Sequence, residues 1–438
     1  MRENFLRSEV RACLLLALAT LCMPAWVAAQ SNLPEPFLRD ATAGINARTF
    51  YMDVNDRSKP PAVSEREAWA IGGKLWGLTG WWNDRLQLGA SYYLSAPLYA
   101  PEDKDGTELL EPGQKAISVI GEAFVRLKFD NARFTGGRQE IDMSYPRAAH
   151  VRLNRSDATY VGKQDSRMVP ITYEAVLLNG QVENTLNYYL GWVSRVKPRN
   201  LSEFQSVGAT IGAKGSEADM WYGGVQVTPT KDFWLQGWYY LSPDVLRIGW
   251  LDGDYVLRLP QNTYLRFAAQ YTDQRSDGAN QLIGRSFSTS NAQGYAEYGV
   301  DIWTIYGAYS RTGSGSDIRI PFTSGPIYTR QIVRTFVRAH ETAWQLGVAV
   351  ELQAVLAGLS GFLDWTRGTG AINAATGAGL ADATEYDVGV VWTYKSKGSS
   401  LDGLRTRIRC GWVIDNTSLG GQRTTDFRID ANLPINLL

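Results

Sequence analysis

The feature that most constrains this chain is a period of two. From Leu404 to Val413, the residues Leu404, Thr406, Ile408, Cys410 and Trp412 alternate with Arg405, Arg407, Arg409, Gly411 and Val413. Side chains alternate across a strand, so such a segment has one apolar and one polar face. The pattern recurs. Leu86, Leu88, Ala90, Tyr92 and Leu94 oppose Gln87, Gly89, Ser91, Tyr93 and Ser95. Ala123, Val125, Leu127 and Phe129 oppose Glu122, Phe124, Arg126 and Lys128. Tyr386, Val388, Val390 and Trp392 oppose Glu385, Asp387, Gly389 and Val391. Phe427, Ile429, Ala431 and Leu433 oppose Asp426, Arg428, Asp430 and Asn432.

Soluble antiparallel sheets alternate in this way, with one face on a core and one in water. Two features favour a transmembrane barrel instead. Aromatic residues cluster near the ends of the apolar faces, as in interfacial girdles. Short turns such as Trp82-Asn83-Asp84, Asp130-Asn131, Asn179-Gly180, Pro229–Asp232 and Pro260–Asn262 also alternate with long loops at 97–115, 143–167, 197–217, 274–289 and 312–340. About eighteen strand segments can be laid out, from 43–54 to 423–434. A sheet in lipid must close, because no water satisfies an open edge there. The expectation is an all-β, antiparallel transmembrane barrel of about 18 strands. An even count puts both termini at the periplasmic rim. A ring of that size leaves an aqueous lumen rather than a filled core.

Composition excludes several other classes. The 438 residues carry 44 basic and 44 acidic side chains, so there is no general attraction to nucleic acid. With a mean hydropathy of −0.23 and no long apolar run beyond residue 30, the chain is not a bundle of membrane helices. The one shorter apolar run, Ala12–Ala19, follows Arg2, Arg7 and Arg11 and precedes Val27-Ala28-Ala29. That reads as a signal peptide over 1–29, with a single barrel domain over 30–438 and export to the outer membrane. Cys13 and Cys22 leave with the signal, so Cys410 has no partner within the mature chain.

The chemistry of the lumen is a distribution of fixed charge. Arg405, Arg407 and Arg409 line one wall as a column; Arg126 and Lys128 do so on another strand, and Arg48 on the first. A series of cations in a narrow pore attracts carboxylates and lets them step from site to site. Arginine suits this because its planar fork binds a carboxylate bidentately and stays charged. The alternative role for each arginine is pairing with the lumen acids Glu122, Asp426 and Asp430. The long loop 143–167, with Arg147, Arg152, Arg155 and Lys163, is the candidate for an inward-folded constriction, and Asp165, Ser166 and Arg167 lie at its end.

Five segments resemble the OprD-type outer-membrane porins. They are Gln164-Asp165-Ser166-Arg167-Met168-Val169-Pro170-Ile171-Thr172-Tyr173; Tyr309–Gly315 followed by Ile320-Pro321-Phe322; Glu341-Thr342-Ala343-Trp344-Gln345-Leu346; Gly403-Leu404 with Arg407-Ile408-Arg409; and Phe427 with Asn432–Leu438. They occur in the family's order between about residues 38 and 438. The resemblance implies an eighteen-stranded channel, monomeric or trimeric, seated in outer-membrane lipid. It implies passive uptake of small carboxylate solutes, amino acids or aromatic acids, along a basic ladder past a constricting loop. It places Arg407 and Arg409 on the ladder and Arg167 on the loop motif. The chain departs from the family pattern at Gly347, where an arginine usually follows Trp-Gln-Leu.

Two alternatives stand beside this. One is a barrel-type enzyme, a phospholipase or protease, but the only histidines, His150 and His340, fall in predicted loops with no neighbouring nucleophile. The other is a non-selective general diffusion porin. No cofactor is expected, and no His/Cys set has metal-ligand spacing. Glu102, Asp103 and Asp105 lack the spacing of a calcium loop.

Overall fold

The structure, a computed structural model, describes residues 36–57, 59–60, 64–143, 159–183, 185–322, 325–415 and 423–438. The signal peptide over 1–29, and Arg147, His150, Arg152 and Arg155 of the long basic loop, lie outside the described residues. The first strands are β1 (Thr42–Asp56), β2 (Glu65–Leu78), β3 (Leu86–Tyr99), β4 (Ile117–Lys128), β5 (Ala132–Gln139) and β6 (Thr172–Val182). Then come β7 (Leu186–Lys197), the two-residue β8 (Gln205–Ser206), β9 (Met220–Thr230), β10 (Phe233–Ser242), β11 (Leu246–Arg258), β12 (Tyr264–Ser276) and β13 (Ser288–Val300). The last are β14 (Trp303–Thr312), β15 (Thr342–Glu351), β16 (Leu359–Thr369), β17 (Ala383–Thr393), β18 (Arg405–Asp415) and β19 (Arg423–Asn436).

Apart from β8, each strand pairs antiparallel with the next; β7 pairs directly with β9, and β1 pairs with β19. The ring is therefore closed by eighteen strands, with β8 as an extra edge on β7. Each expected segment overlaps one of them. The largest offset is at the sixth segment, which the alternation puts at 168–178 and whose strand, β6, begins at Thr172. Met168 to Ile171 instead belong to a loop inside the barrel. Pro170, which cannot donate to a ladder, marks that boundary.

Local chemistry sets the turns. Asn83 and Asp84 both have positive φ, 48° and 54°, as do Gln261 and Asn262 at 59° and 57°. Successive left-handed residues match the twist of paired strands, and Asn and Asp tolerate them best. These turns lie on the rim that carries both termini. The connections 100–116, 140–171, 198–219, 277–287 and 313–341 all leave the opposite rim. Short turns face the periplasm in such barrels, so the long loops are extracellular.

The faces sort as the alternation requires. Leu190, Leu235, Leu251, Ile305, Leu346, Leu363 and Ile408 are exposed on the outer surface. Aromatics flank this belt: Phe129, Phe233, Tyr298 and Trp303 toward the short turns, and Tyr99, Trp221, Trp344 and Trp412 toward the long loops. Inward-facing Gln236, Asp252, Gln293, Glu297, Asp364 and Asp430 are buried. The lumen is, however, less empty than strand number alone suggests. A cluster that includes Tyr160, Tyr173, Tyr222, Trp238, Tyr240 and Trp250 packs one side of it, along β6, β9, β10 and β11. The rings meet in edge and tilted contacts, for example Tyr160 on Trp250 with centroids 6.1 Å apart.

Leu251 lies mid-strand on the outer face and is 57% exposed. Leu251→Arg is expected to destabilise the barrel by about 2–4 kcal/mol, the cost of a cation near the bilayer midplane. The measurement is the urea midpoint of refolding into vesicles, and an unchanged midpoint would place this face in water.

Candidate functional site

The candidate site is the part of the lumen into which two extracellular loops fold. The first is 140–171. At its start, the Glu140 carboxylate accepts hydrogen bonds from Lys74 at 2.8 Å and from the Tyr93 hydroxyl at 2.5 Å, and pairs with Lys163 at 3.0 Å. Lys74 also reaches Glu122 at 2.6 Å. Farther along, Tyr160 donates or accepts a 3.1 Å hydrogen bond with Thr272 across the barrel. At its end, both terminal nitrogens of Arg48 bind the Asp165 carboxylate, one of them at 2.8 Å. Arg48 also donates to the Arg167 carbonyl at 2.6 Å. Burial pushes the Asp165 carboxyl up, but the charges of Arg48, Lys163 and Arg407 overcome this and hold it below the usual carboxylate range.

The other two predicted loop residues are also engaged. The Ser166 hydroxyl accepts from Arg199 at 2.9 Å. Arg167 is buried and donates from Nε to the Thr107 carbonyl at 3.0 Å. Arg199 pairs with Glu108 as well, so the loop 100–116 braces the inward loop 140–171 from behind. Lys197 completes the anchorage by donating to the Pro170 carbonyl at 2.9 Å.

The second inward loop is 313–341, which the sequence marks only as long. It lies against the opposite wall. Tyr328 donates its hydroxyl to Asp252 at 2.5 Å and its amide to Gln293 at 2.6 Å. The amides of Val333 and Arg334 donate to Glu385 at 2.7 and 2.8 Å, and that of Ile332 donates to Asp387 at 2.8 Å. Arg334 pairs with Asp415 at 2.5 Å.

Between these loops, the predicted arginine column stands on the lumen face of β18. Register places Arg407 beside Asp430, Arg409 beside Arg428 and Arg405 beside Asn432. One carboxylate serves two cations, since Asp430 binds Arg407 at 2.8 Å and Arg409 at 3.2 Å. Arg428, which sequence reasoning placed on this face without a role, binds Asp426 at 2.6 Å and the Ile332 carbonyl at 3.1 Å. The positive series then continues onto the loops. Burial, with the like charges of Arg199 and Arg428, pushes the Arg330 guanidinium down to about 9. Arg167 is lowered by burial and by the same two neighbours. Arg330, Arg199 and Arg428 carry no sequence pattern of their own except that Arg428 shares the lumen parity of Asp430.

Arg126 and Lys128 occupy a separate wall, five strands around from β18 at the periplasmic end of β4. Arg126 donates to Gln87 at 3.2 Å and lies 4.3 Å from the Phe124 ring centre; the Lys128 ammonium is 5.9 Å from that of Trp81. Gly347 faces the lumen where Tyr306 donates to Asp364 at 2.5 Å, and a Cβ there would sit 2.1 Å from the Tyr306 ring and 2.2 Å from Asp364. That pair fills the space of any larger residue. His340 lies at the extracellular rim, its Nδ1 3.0 Å from the Gly370 carbonyl oxygen.

A closed barrel of eighteen antiparallel strands, apolar outside and charged within, with loops folded into its lumen, defines an outer-membrane porin. A family model described as outer membrane porin, OprD family, matches residues 156–437, and the chain belongs to that family. Its members are channels rather than enzymes. The match begins at 156, well after residue 38, where the resemblance was expected to start. OccK9 (OpdG) of Pseudomonas aeruginosa superposes with a TM-score of 0.78 at 21% identity, covering 92% of this chain and 100% of that one. OpdK of the same organism, solved with vanillate, gives 0.76 at 18% identity, covering 91% and 100%. OccAB1 of Acinetobacter baumannii gives 0.78 at 16%, covering 93% and 99%. A search of curated proteins gave no match.

A carboxyl whose pKa is depressed by folding contributes stability above its unfolded pKa, and that contribution is lost as pH falls through the folded value. The Arg48–Asp165 tether is therefore intact at neutral pH and released only in acid, below the usual carboxylate range. Asp165→Asn removes hydrogen bonds to a charged group, worth about 1.5–3 kcal/mol. The wild type is expected to show current fluctuations only in acid, and this variant to show them already at pH 7. Single-channel recording across pH checks this; quiet currents from the variant at pH 7 would mean the tether does not hold the loop.

Proposed function

We propose that this porin is selective for small carboxylate-bearing solutes, which enter passively along the lumenal arginines. The proposed ladder comprises Arg405, Arg407 and Arg409, continued by Arg428 and by Arg330, Arg167 and Arg199 on the loops. In this reading Arg48, Asp165 and Ser166 set the constriction, while Arg126 and Lys128 attract anions at the periplasmic mouth. Export through a signal peptide over 1–29 belongs to the same reading.

The observation that carries it is the imbalance of partners. Arg48, Arg167, Arg199, Arg407, Arg409 and Arg428 share four carboxylates: Asp165, Glu108, Asp430 and Asp426. Arg405, at the start of β18, and Arg330, on loop 313–341, have no ion pair among the described residues. Like charges in a row repel, and a passing carboxylate relieves that repulsion. The bidentate fork lets the anion exchange between neighbours without passing through an unpaired state. That OpdK was solved with vanillate, an aromatic carboxylate, is consistent with such a solute class.

Arg405→Gln strands no acid, so it tests the ladder cleanly. It is expected to slow liposome uptake of benzoate-like and amino-acid carboxylates by about tenfold, roughly 1.4 kcal/mol, with potassium chloride conductance little changed. Arg407→Ala with Arg409→Ala should do at least as much to uptake. It should also destabilise the barrel, because Asp430 is left buried and unpaired. Equal loss of carboxylate and neutral-sugar uptake would favour a general diffusion pore.

A further inference from the structure

The extracellular mouth holds a cleft that the ladder does not use. It has a volume of about 300 Å³ and lies where loop 313–341 meets loops 198–219 and 277–287. Ile211, Leu246, Leu282, Ile320 and Val337 supply apolar wall, and Asp317 and Arg319 supply charge. The two are not joined to each other by an ion pair. The Asp317 carboxylate accepts from the Ala339 amide at 2.7 Å, which leaves its other oxygen available. Arg319 has no ion pair among the described residues, and its Nε is covered without a hydrogen-bond partner. Its backbone is fixed at both ends: the Gln274 side-chain amide donates to the Arg319 carbonyl at 2.8 Å, and the Arg319 amide donates back to the Gln274 oxygen at 2.8 Å. The third charge in the cleft, Arg338, is already satisfied by Glu341 at 2.5 Å and the Ala381 carbonyl at 2.9 Å.

We infer that this cleft is a capture site for a small zwitterion with an apolar side chain, an aliphatic α-amino acid. The carboxylate sits on Arg319, the ammonium on Asp317 and the side chain against the isoleucines and leucines. A simple organic anion would meet the Asp317 charge without compensation, and a simple cation would leave Arg319 unpaired. The volume suits a ligand at the small end of the range for such pockets. The site rests on the reading of the channel as one for carboxylate solutes, and it narrows that class at the mouth.

The test uses the folded porin in detergent, titrated calorimetrically with L-leucine, with 4-methylpentanoate (no ammonium) and with L-leucinamide (no carboxylate). Leucine is expected to bind at least about tenfold more tightly than either analogue, the equivalent of one charge-assisted contact. Arg319→Gln should abolish leucine binding, and Arg319→Lys should keep a weakened form of it. Asp317→Asn should bring leucine down to the level of 4-methylpentanoate. Retained leucine affinity in Arg319→Gln, or equal affinity for leucine and 4-methylpentanoate in the wild type, overturns the assignment. Arg405→Gln separates the two claims: it should slow carboxylate uptake and leave leucine binding unchanged. Failure of the uptake effect alone counts against the ladder, and failure of the Arg319 effect alone counts against the cleft.

Discussion

Everything in this molecule depends on the closure between β1 and β19. In hydrocarbon, a backbone amide without a partner costs several kcal/mol, so a membrane sheet cannot keep an open edge. The β1–β19 register runs unbroken from Gly44–Asn436 to Asp56–Thr424. Once the ring is shut, the pleat decides what each residue meets. A one-residue slip would turn Arg407 and Asp430 toward lipid and Ile408 and Ile429 into the lumen. The strict alternation is thus the sequence's way of fixing register, and the register creates the charged column.

Closure alone would leave a wide opening, and the narrowing comes from polar contacts made by loops. Loops carry backbone amides and carbonyls that must find partners when they leave water. Here lumen side chains provide them: Glu385 and Asp387 accept the amides of Ile332, Val333 and Arg334, while Arg428 takes the Ile332 carbonyl. The same acids and bases that line the pore are thereby partly used as scaffolding. On the other side, the aromatic cluster around Tyr160 and Trp250 supports the first loop by packing. The charged series therefore lies against β18, β19 and β1, away from the packed side.

Much of this was legible in the sequence. The eighteen segments, the lumen parity of Arg405, Arg407 and Arg409 and the partner role of Asp426 and Asp430 follow from a period of two. Asp165 and Ser166 were found through a short motif in register with others of its family. What the sequence hid lies in loops, which have no period to read. Nothing in the segment 313–341 announces that Tyr328 will reach Asp252, or that Arg330 will approach Arg428. Arg48 is the instructive case. Its parity puts it in the lumen with the arginine column of β18, yet its charge is spent on Asp165, because the loop that delivers that acid is far away in sequence.

The sharing of Asp430 explains how a column of arginines persists in a folded protein at all. Two guanidiniums paired to separate buried acids would be locked, and an incoming carboxylate would have to displace each acid in turn. Two guanidiniums with no acid would repel each other and raise the cost of folding. One acid between two forks is intermediate. Arg407 holds Asp430 through Nε and Nη2, while Arg409 touches it through a single nitrogen at 3.2 Å and keeps its own Nε without a partner. The column is stable enough to assemble, and its donors remain incompletely satisfied. That incompleteness, rather than the number of arginines, is what an anion in transit would use.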